Sequence, residues 1–206
     1  GTTLLARMLD AHGDIACASD PFSPFFKEFR NEIAEDIGRR VEPAAPFGSY
    51  YADSDALRLF DAIREGSLHQ PFVSDRESLL QRITDRGRTF SPLVMDQLET
   101  IEGDDYKEVY KHLLSHVRPA QGTGDESWVG TKETWLTEFV PPLARTYPDA
   151  RFVLIVRDPR GVTASNNVNE DAKYPWLFML RQWRKLAGLS WVFAKDSTFA
   201  DRVYLL

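Results

Sequence analysis

Phe152-Val153-Leu154-Ile155-Val156 is a continuous apolar run that empties into Arg157-Asp158-Pro159-Arg160-Gly161. A short β-branched run that stops at polar residues and a proline predicts a buried strand feeding the first turn of a helix. The guanidinium of Arg157 then stands at the strand end, where it suits a bidentate contact to phosphate. At the other end of the chain, Gly1-Thr2-Thr3-Leu4-Leu5 opens a helical pattern continued by Met8 and Leu9. A helix start leaves backbone N–H groups without partners and carries the positive end of the dipole, so it favours an anion. Two such sites predict a ligand with phosphate at both ends. His12-Gly13 is expected to close the first helix, with Gly13 in the left-handed cap.

Strand and helix alternate on both sides of these segments. Residues 15–18 read as a short buried strand, and residues 128–132, ending at Lys132, as another. Residues 135–147 read as a helix interrupted or restarted at Pro141-Pro142, residues 159–167 and 175–195 as helices, and residues 202–206 as a closing strand. Continuous apolar strands separated by helices predict an α/β fold with a parallel sheet covered on both faces. Ligands of such sheets bind beyond the carboxyl ends of the strands, and Gly1, Asp20, Lys132 and Arg157 all lie at such ends or beside them. The middle is helix-rich, with segments predicted at residues 23–37, 54–64, from Ser91-Pro92 and at 104–117. A further helix is capped by Ser74, with Glu77 three residues on. Residues 43–49, 66–71 and 119–124 read as loops, and Arg86-Gly87-Arg88 as a solvated loop that could instead touch an anionic acceptor.

These residues resemble the sulfotransferases that use 3′-phosphoadenosine 5′-phosphosulfate (PAPS). In that family a basic-Ser-Gly-Thr-Thr loop holds the 5′-phosphosulfate, and a strand-Arg-x-Pro segment with a Ser eight residues after the Arg holds the 3′-phosphate. Gly1-Thr2-Thr3 corresponds to the first, and Arg157 with Ser165 to the second. The opening stretch through His12 is most similar to the tyrosylprotein-type and related bacterial branches, although residues 33–125 are longer than the matching segment there. The resemblance implies a P-loop-like three-layer domain with a helix-rich insertion. It also implies sulfuryl transfer from PAPS to a hydroxyl or amine, release of the product PAP, and no metal. Gly1, Thr2, Thr3 and Leu4 would bind the 5′ end of the nucleotide, and Arg157 and Ser165 the 3′-phosphate. Lys132 would reach the transferred group. Asp20 stands where the tyrosylprotein branch has a Glu base, with Glu133 and Glu28 in reserve; a turn or capping Asp is the plainer reading of Asp20. Gly161 would leave room for the phosphate.

The chain is expected to be one domain over residues 1–206, truncated at both ends, with residues 33–125 forming a helical segment on the acceptor side. The acceptor is expected to be a small molecule, a carbohydrate or a peptide. At 206 residues, 43% hydrophobic and 27% charged, the chain has the balance of a globular protein with a substantial core. A net charge of −6 argues against a nucleic-acid surface. The single Cys17 allows no internal disulfide and suits a reducing compartment, so a cytoplasmic location is expected. No apolar run approaches the roughly 20 residues that span a bilayer.

Three residue groups have both plain and functional readings. His112 and His116, four apart, could ligate a metal but lack an evident third ligand. Trp176, Trp183 and Trp191 read as core rather than as a platform for adenine. Phe22, Phe25, Phe26 and Phe29 read as core, or as the wall of an acceptor pocket. Two alternatives to sulfuryl transfer stay open. A P-loop kinase or NTPase would want a Lys directly before the hydroxyl residue, where this chain has Gly1. A relative that binds nucleotide without catalysis would keep the phosphate sites alone.

Overall fold

Helix α1 (Thr2–Asp10) turns a narrow face inward: Ala6 is buried, Leu5 and Leu9 are half-buried, and Leu4 and Met8 remain exposed. It ends without the left-handed glycine that the sequence predicts. Ala11 closes it in right-handed geometry, and the Asp10 carboxylate accepts the Cys17 N–H at 2.9 Å. That side-chain bond ties the helix end to strand β1 (Ile15–Ser19), whose small central residues Ala16, Cys17 and Ala18 are all buried. Burial in apolar surroundings raises the Cys17 thiol to about 11, so it is an inert core residue.

The computed structural model describes residues 1–49, 56–164, 174–199 and 201–206, and divides into the units Gly1–Leu136 and Thr137–Leu206. In the first unit, β1 pairs in parallel with β2 (Trp128–Lys132), with Ile15 opposite Trp128 and Ser19 opposite Lys132. The helices between them are α2 (Ser23–Asp36), α3 (Ala56–Glu65), α4 (Arg76–Phe90), α5 (Pro92–Met95), α6 (Tyr106–Ser115) and α7 (Val117–Gln121).

The core of this unit follows from the spacing of α2. Phe22, Phe25, Phe26, Phe29 and Ile33 recur at helical intervals and are all buried, as the core reading expects. Their rings meet Tyr106 and Tyr110 of α6, with Phe25 stacked on Tyr110 at 5.3 Å and Phe29 edge-on to Tyr106 at 5.1 Å. Each such ring contributes about 1.5–3 kcal/mol by leaving water. Arg30, on the same helix, is fully buried. Its guanidinium donates to the carbonyls of Ala45 at 2.9 Å and Pro43 at 3.3 Å, and lies over the Phe47 ring.

Some element ends differ from expectation for local reasons. Helix α4 is capped by Asp75 rather than Ser74, because the Asp75 carboxylate accepts the Ser78 N–H at 3.1 Å. Arg86-Gly87-Arg88 is not a loop; it is part of α4, and Gly87 is bare because a Cβ there would overlap the Met95 side chain. Residues 117–121, partly assigned to a loop, form α7. The predicted helix at 54–64 begins at Ala56, and residues 50–55 lie outside the described residues.

In the second unit, a single 3-10 turn (Thr137–Phe139) leads into α8 (Val140–Thr146), which restarts with Pro141-Pro142 in its first turn, where missing N–H groups cost nothing. Strand β3 (Phe152–Leu154) leads to α9 (Pro159–Ala164), and α10 (Trp176–Lys195) leads to β4 (Val203–Leu205). Strands β3 and β4 pair in parallel, with Phe152 opposite Val203. Val140, Ala144, Phe193, Phe199 and Val203 form the core, joined by Phe152 and Leu154. A buried ion pair joins Lys185 to Glu138 at 2.8 Å. The fold class is thus α/β with parallel strand pairing, as the alternation predicts.

Candidate functional site

The parallel register brings the two strand ends of the first unit together. Ser19 faces Lys132, and the next residue, Asp20, donates its N–H to the Lys132 carbonyl at 2.6 Å. Asp20 then turns sharply, with φ of 52°, a left-handed conformation that short polar side chains tolerate best among non-glycine residues. Its buried carboxylate collects three donors. Oδ2 takes the Lys132 ammonium, and Oδ1 takes both the N–H and the hydroxyl of Thr134, each at 2.8 Å. Lys132 and Asp20 side chains are only 14% and 7% exposed, so the pair is shielded from solvent.

Glu133, between the two partners of that carboxylate, reaches the start of α2. Its Oε1 accepts the Phe22 N–H at 2.6 Å, which holds the start of α2 against β2. Its Oε2 is buried and has no hydrogen-bond partner among the described residues. Burial first, and then the Asp20 charge, push its pKa up to about 8, against the opposing pull of the Phe22 N–H, Arg86 and Lys132. Arg86 of α4 stacks on Phe90 at 5.1 Å, and its own Nε is buried without a partner. Two side chains hold the strands from beside them. The Ser91 hydroxyl accepts from Ser19 N at 3.1 Å and donates to Ser19 O at 2.8 Å, while the Tyr110 hydroxyl lies 3.4 Å from the Thr131 hydroxyl.

Helix α1 packs on β1 and is joined to it by residues 11–14. Gly1 caps it without a side-chain bond, and Thr2, Thr3 and Leu4 are exposed. The open N–H groups and two hydroxyls can receive an anion there. The first unit brings Asp20 and Lys132 together at the paired ends of β1 and β2.

Arg157 lies in the second unit, three residues past β3, and is exposed. No described residue hydrogen-bonds its guanidinium, while its backbone carbonyl accepts the Trp183 indole N–H at 2.7 Å. Gly161 does not stand open for a ligand: a Cβ there would meet Arg157 Nε at 2.8 Å, so the space is taken by the arginine itself. The neighbouring Asp158 carboxylate is held by Arg160 at 2.7 Å. Ser165 falls outside the described residues.

Other candidates resolve into ordinary structure. Glu28 is paired with Arg82. His116 Nδ1 lies 2.9 Å from the His112 carbonyl and His112 Nε2 lies 3.0 Å from the Thr100 carbonyl; no group of three metal-ligating residues occurs among the described residues. Trp176 and Trp191 are not core: they are 68% and 54% exposed. Helix α10 is apolar nearly all round, so its pattern does not select an inward face. Sequence reasoning missed Thr134 and Ser91 as partners of the strand ends and Trp183 as a partner of Arg157, since a polar residue near a strand end carries no signal of where its hydrogen bonds go. No described helix is long and apolar enough to cross a membrane.

A family model described as "Sulfotransferase family" matches residues 1–191 of the chain. No curated protein and no solved structure matches it.

Proposed function

The chain belongs to the sulfotransferase family, and from that premise we propose that it transfers a sulfuryl group from PAPS to a hydroxyl or amine of a small-molecule, carbohydrate or peptide acceptor. The observation that carries this reading is the shielded Lys132–Asp20 pair at the paired ends of β1 and β2. The chemistry of other groups fits the donor: bare N–H groups and two hydroxyls at the start of α1 for a phosphosulfate, and for a second phosphate the Arg157 guanidinium, which no described residue hydrogen-bonds.

PAPS supplies an activated sulfuryl group, whose bond to the 5′-phosphate oxygen breaks as the acceptor oxygen or nitrogen attacks in line. Gly1, Thr2, Thr3 and Leu4 hold the 5′ end, and their donors stabilise the negative charge that grows on the departing phosphate. Arg157 and Ser165 take the 3′-phosphate. Lys132 contacts the transferred group with its ammonium while it pairs with the Asp20 carboxylate. Asp20 takes the acceptor's proton on a carboxylate oxygen. To do so it exchanges one of its present contacts with Lys132 or Thr134 for the acceptor. Glu133 is the second candidate for that proton, because its Oε2 has no partner to give up. Residues 33–125 supply the acceptor side.

Transfer of radiolabelled sulfate from PAPS to a panel of hydroxyl and amine acceptors tests the reaction. Thermal stabilisation by PAP against ADP, without magnesium, tests the donor. A shift selective for PAP that Arg157→Ala abolishes supports the reading. A shift with ADP alone, or one that requires magnesium, overturns it in favour of a kinase.

A further inference from the structure

Arg157 is aimed by two contacts within its own unit. The first holds its backbone. The Trp183 indole N–H, on α10, donates to the Arg157 carbonyl at 2.7 Å across 26 residues of sequence. This bond adds a second anchor to the chain between β3 and α9, which the Val156 N–H already ties to the Leu206 carbonyl at 2.8 Å. The second contact gives the side chain a place to lie. A Cβ at Gly161, one helical turn further on, would come 2.8 Å from Arg157 Nε and 3.2 Å from Cζ and Nη2. The guanidinium therefore lies against the bare α-carbon of Gly161, closer than any side chain there would permit. The nearest carboxylate, Asp158, does not draw it away, because both Asp158 oxygens are engaged by Arg160, at 3.0 Å to Nε and 2.7 Å to Nη2. The guanidinium thus lies over Gly161, and no described residue hydrogen-bonds its N–H groups.

We propose that Trp183 and Gly161 are positioning residues that aim Arg157, and that they set the preference of this protein for nucleotides bearing a 3′-phosphate. The inference rests on the donor reading above. An arginine whose backbone is fixed and whose side chain has a place to lie loses less freedom when it grips a planar pair of phosphate oxygens, so the two contacts contribute to affinity without touching the ligand.

Calorimetric titration of the full chain with PAP and with ADP tests this, using Trp183→Phe, Gly161→Ala and Arg157→Ala. Trp183→Phe keeps the ring and removes the N–H; it is expected to weaken PAP roughly three- to tenfold, the range for one hydrogen bond, with ADP affinity unchanged. Gly161→Ala is expected to do the same by displacing the guanidinium. Alanine is a better helix former than glycine, so its melting temperature should hold. Equal losses of PAP and ADP affinity, or unchanged PAP affinity in both variants, overturn the inference. If Arg157→Ala removes the PAP preference while the other two keep it, the positioning role fails and the donor reading stands. If Arg157→Ala itself leaves PAP affinity unchanged, the donor reading fails first.

Discussion

The Lys132 ammonium and the Asp20 carboxylate form a shielded ion pair across 112 residues of sequence, at the ends of two parallel strands. Removing one partner of such a pair leaves the other charge buried and uncompensated, at a cost of about 3–5 kcal/mol. Lys132→Met is expected to lower stability in this range and to abolish sulfuryl transfer. Asp20→Asn keeps an acceptor for Thr134 and a side chain tolerant of positive φ. Combined with Lys132→Met, it should recover part of the stability and none of the activity. Urea denaturation of both single variants and the double variant checks this; strictly additive losses would contradict a coupled pair.

Glu133 predicts a pH dependence of opposite sign to that of an ordinary carboxylate. Its folded pKa of about 8 lies above its usual 4.5. Its contribution is therefore fully present below pH 4.5 and is lost as pH rises towards 8, because the unfolded chain releases its proton first. Melting temperatures between pH 4.5 and 9 should fall more steeply for the wild type than for Glu133→Gln, and parallel curves would refute the assignment. The same variant separates the two candidate bases. If Asp20 takes the acceptor's proton, Glu133→Gln keeps transfer; if Glu133 does, transfer is lost and the wild-type rate rises through pH 8.

Glu126 behaves in the reverse way. Its carboxylate accepts from the Thr123 N–H, from the Thr123 hydroxyl at 3.0 Å and from Gly124 N at 3.1 Å, which hold its pKa at about 2 against a usual 4.5. The stability it lends to the loop before β2 is present above pH 4.5 and declines as pH falls towards 2. Glu126→Gln should flatten the acid limb of the stability curve. Gly122→Ala should weaken the loop at every pH, because its Cβ would overlap the Glu126 carboxylate. Amide hydrogen exchange across residues 121–128 reads both effects.

Arg30→Lys is expected to cost about 2–4 kcal/mol despite keeping the charge. The planar guanidinium reaches carbonyls at Pro43 and Ala45 and stacks on Phe47, whereas a buried ammonium satisfies fewer of them and cannot stack. Thermal melts should place Arg30→Lys well below the wild type, and a near-neutral result would show that this clamp does not hold the loop after α2.

Local pattern was enough for much of this protein. The helix opened by Gly1-Thr2-Thr3, the strands ending at Ser19 and Lys132, the apolar run before Arg157 and the aromatic stripe of α2 are each written within a few neighbouring residues. Periods of 2 and 3.6, and proline or glycine punctuation, report backbone geometry directly. The α/β class follows from the order of those periods. Tertiary structure alone decided which side chains meet. Asp20 finds Lys132 only because β1 and β2 pair in one register, and a shift of one residue would turn both to the wrong faces. Thr134, Glu133 and Trp183 owe their partners to chain crossings that no local period records. Gly161 lies beneath the Arg157 side chain, a fact of close approach in space. The apolar residues of α10, spread nearly all round the helix, do not mark which tryptophans stay in water. Periodicity encodes the form of each element; hydrogen bonds and ion pairs depend on distances set by packing between elements far apart in sequence.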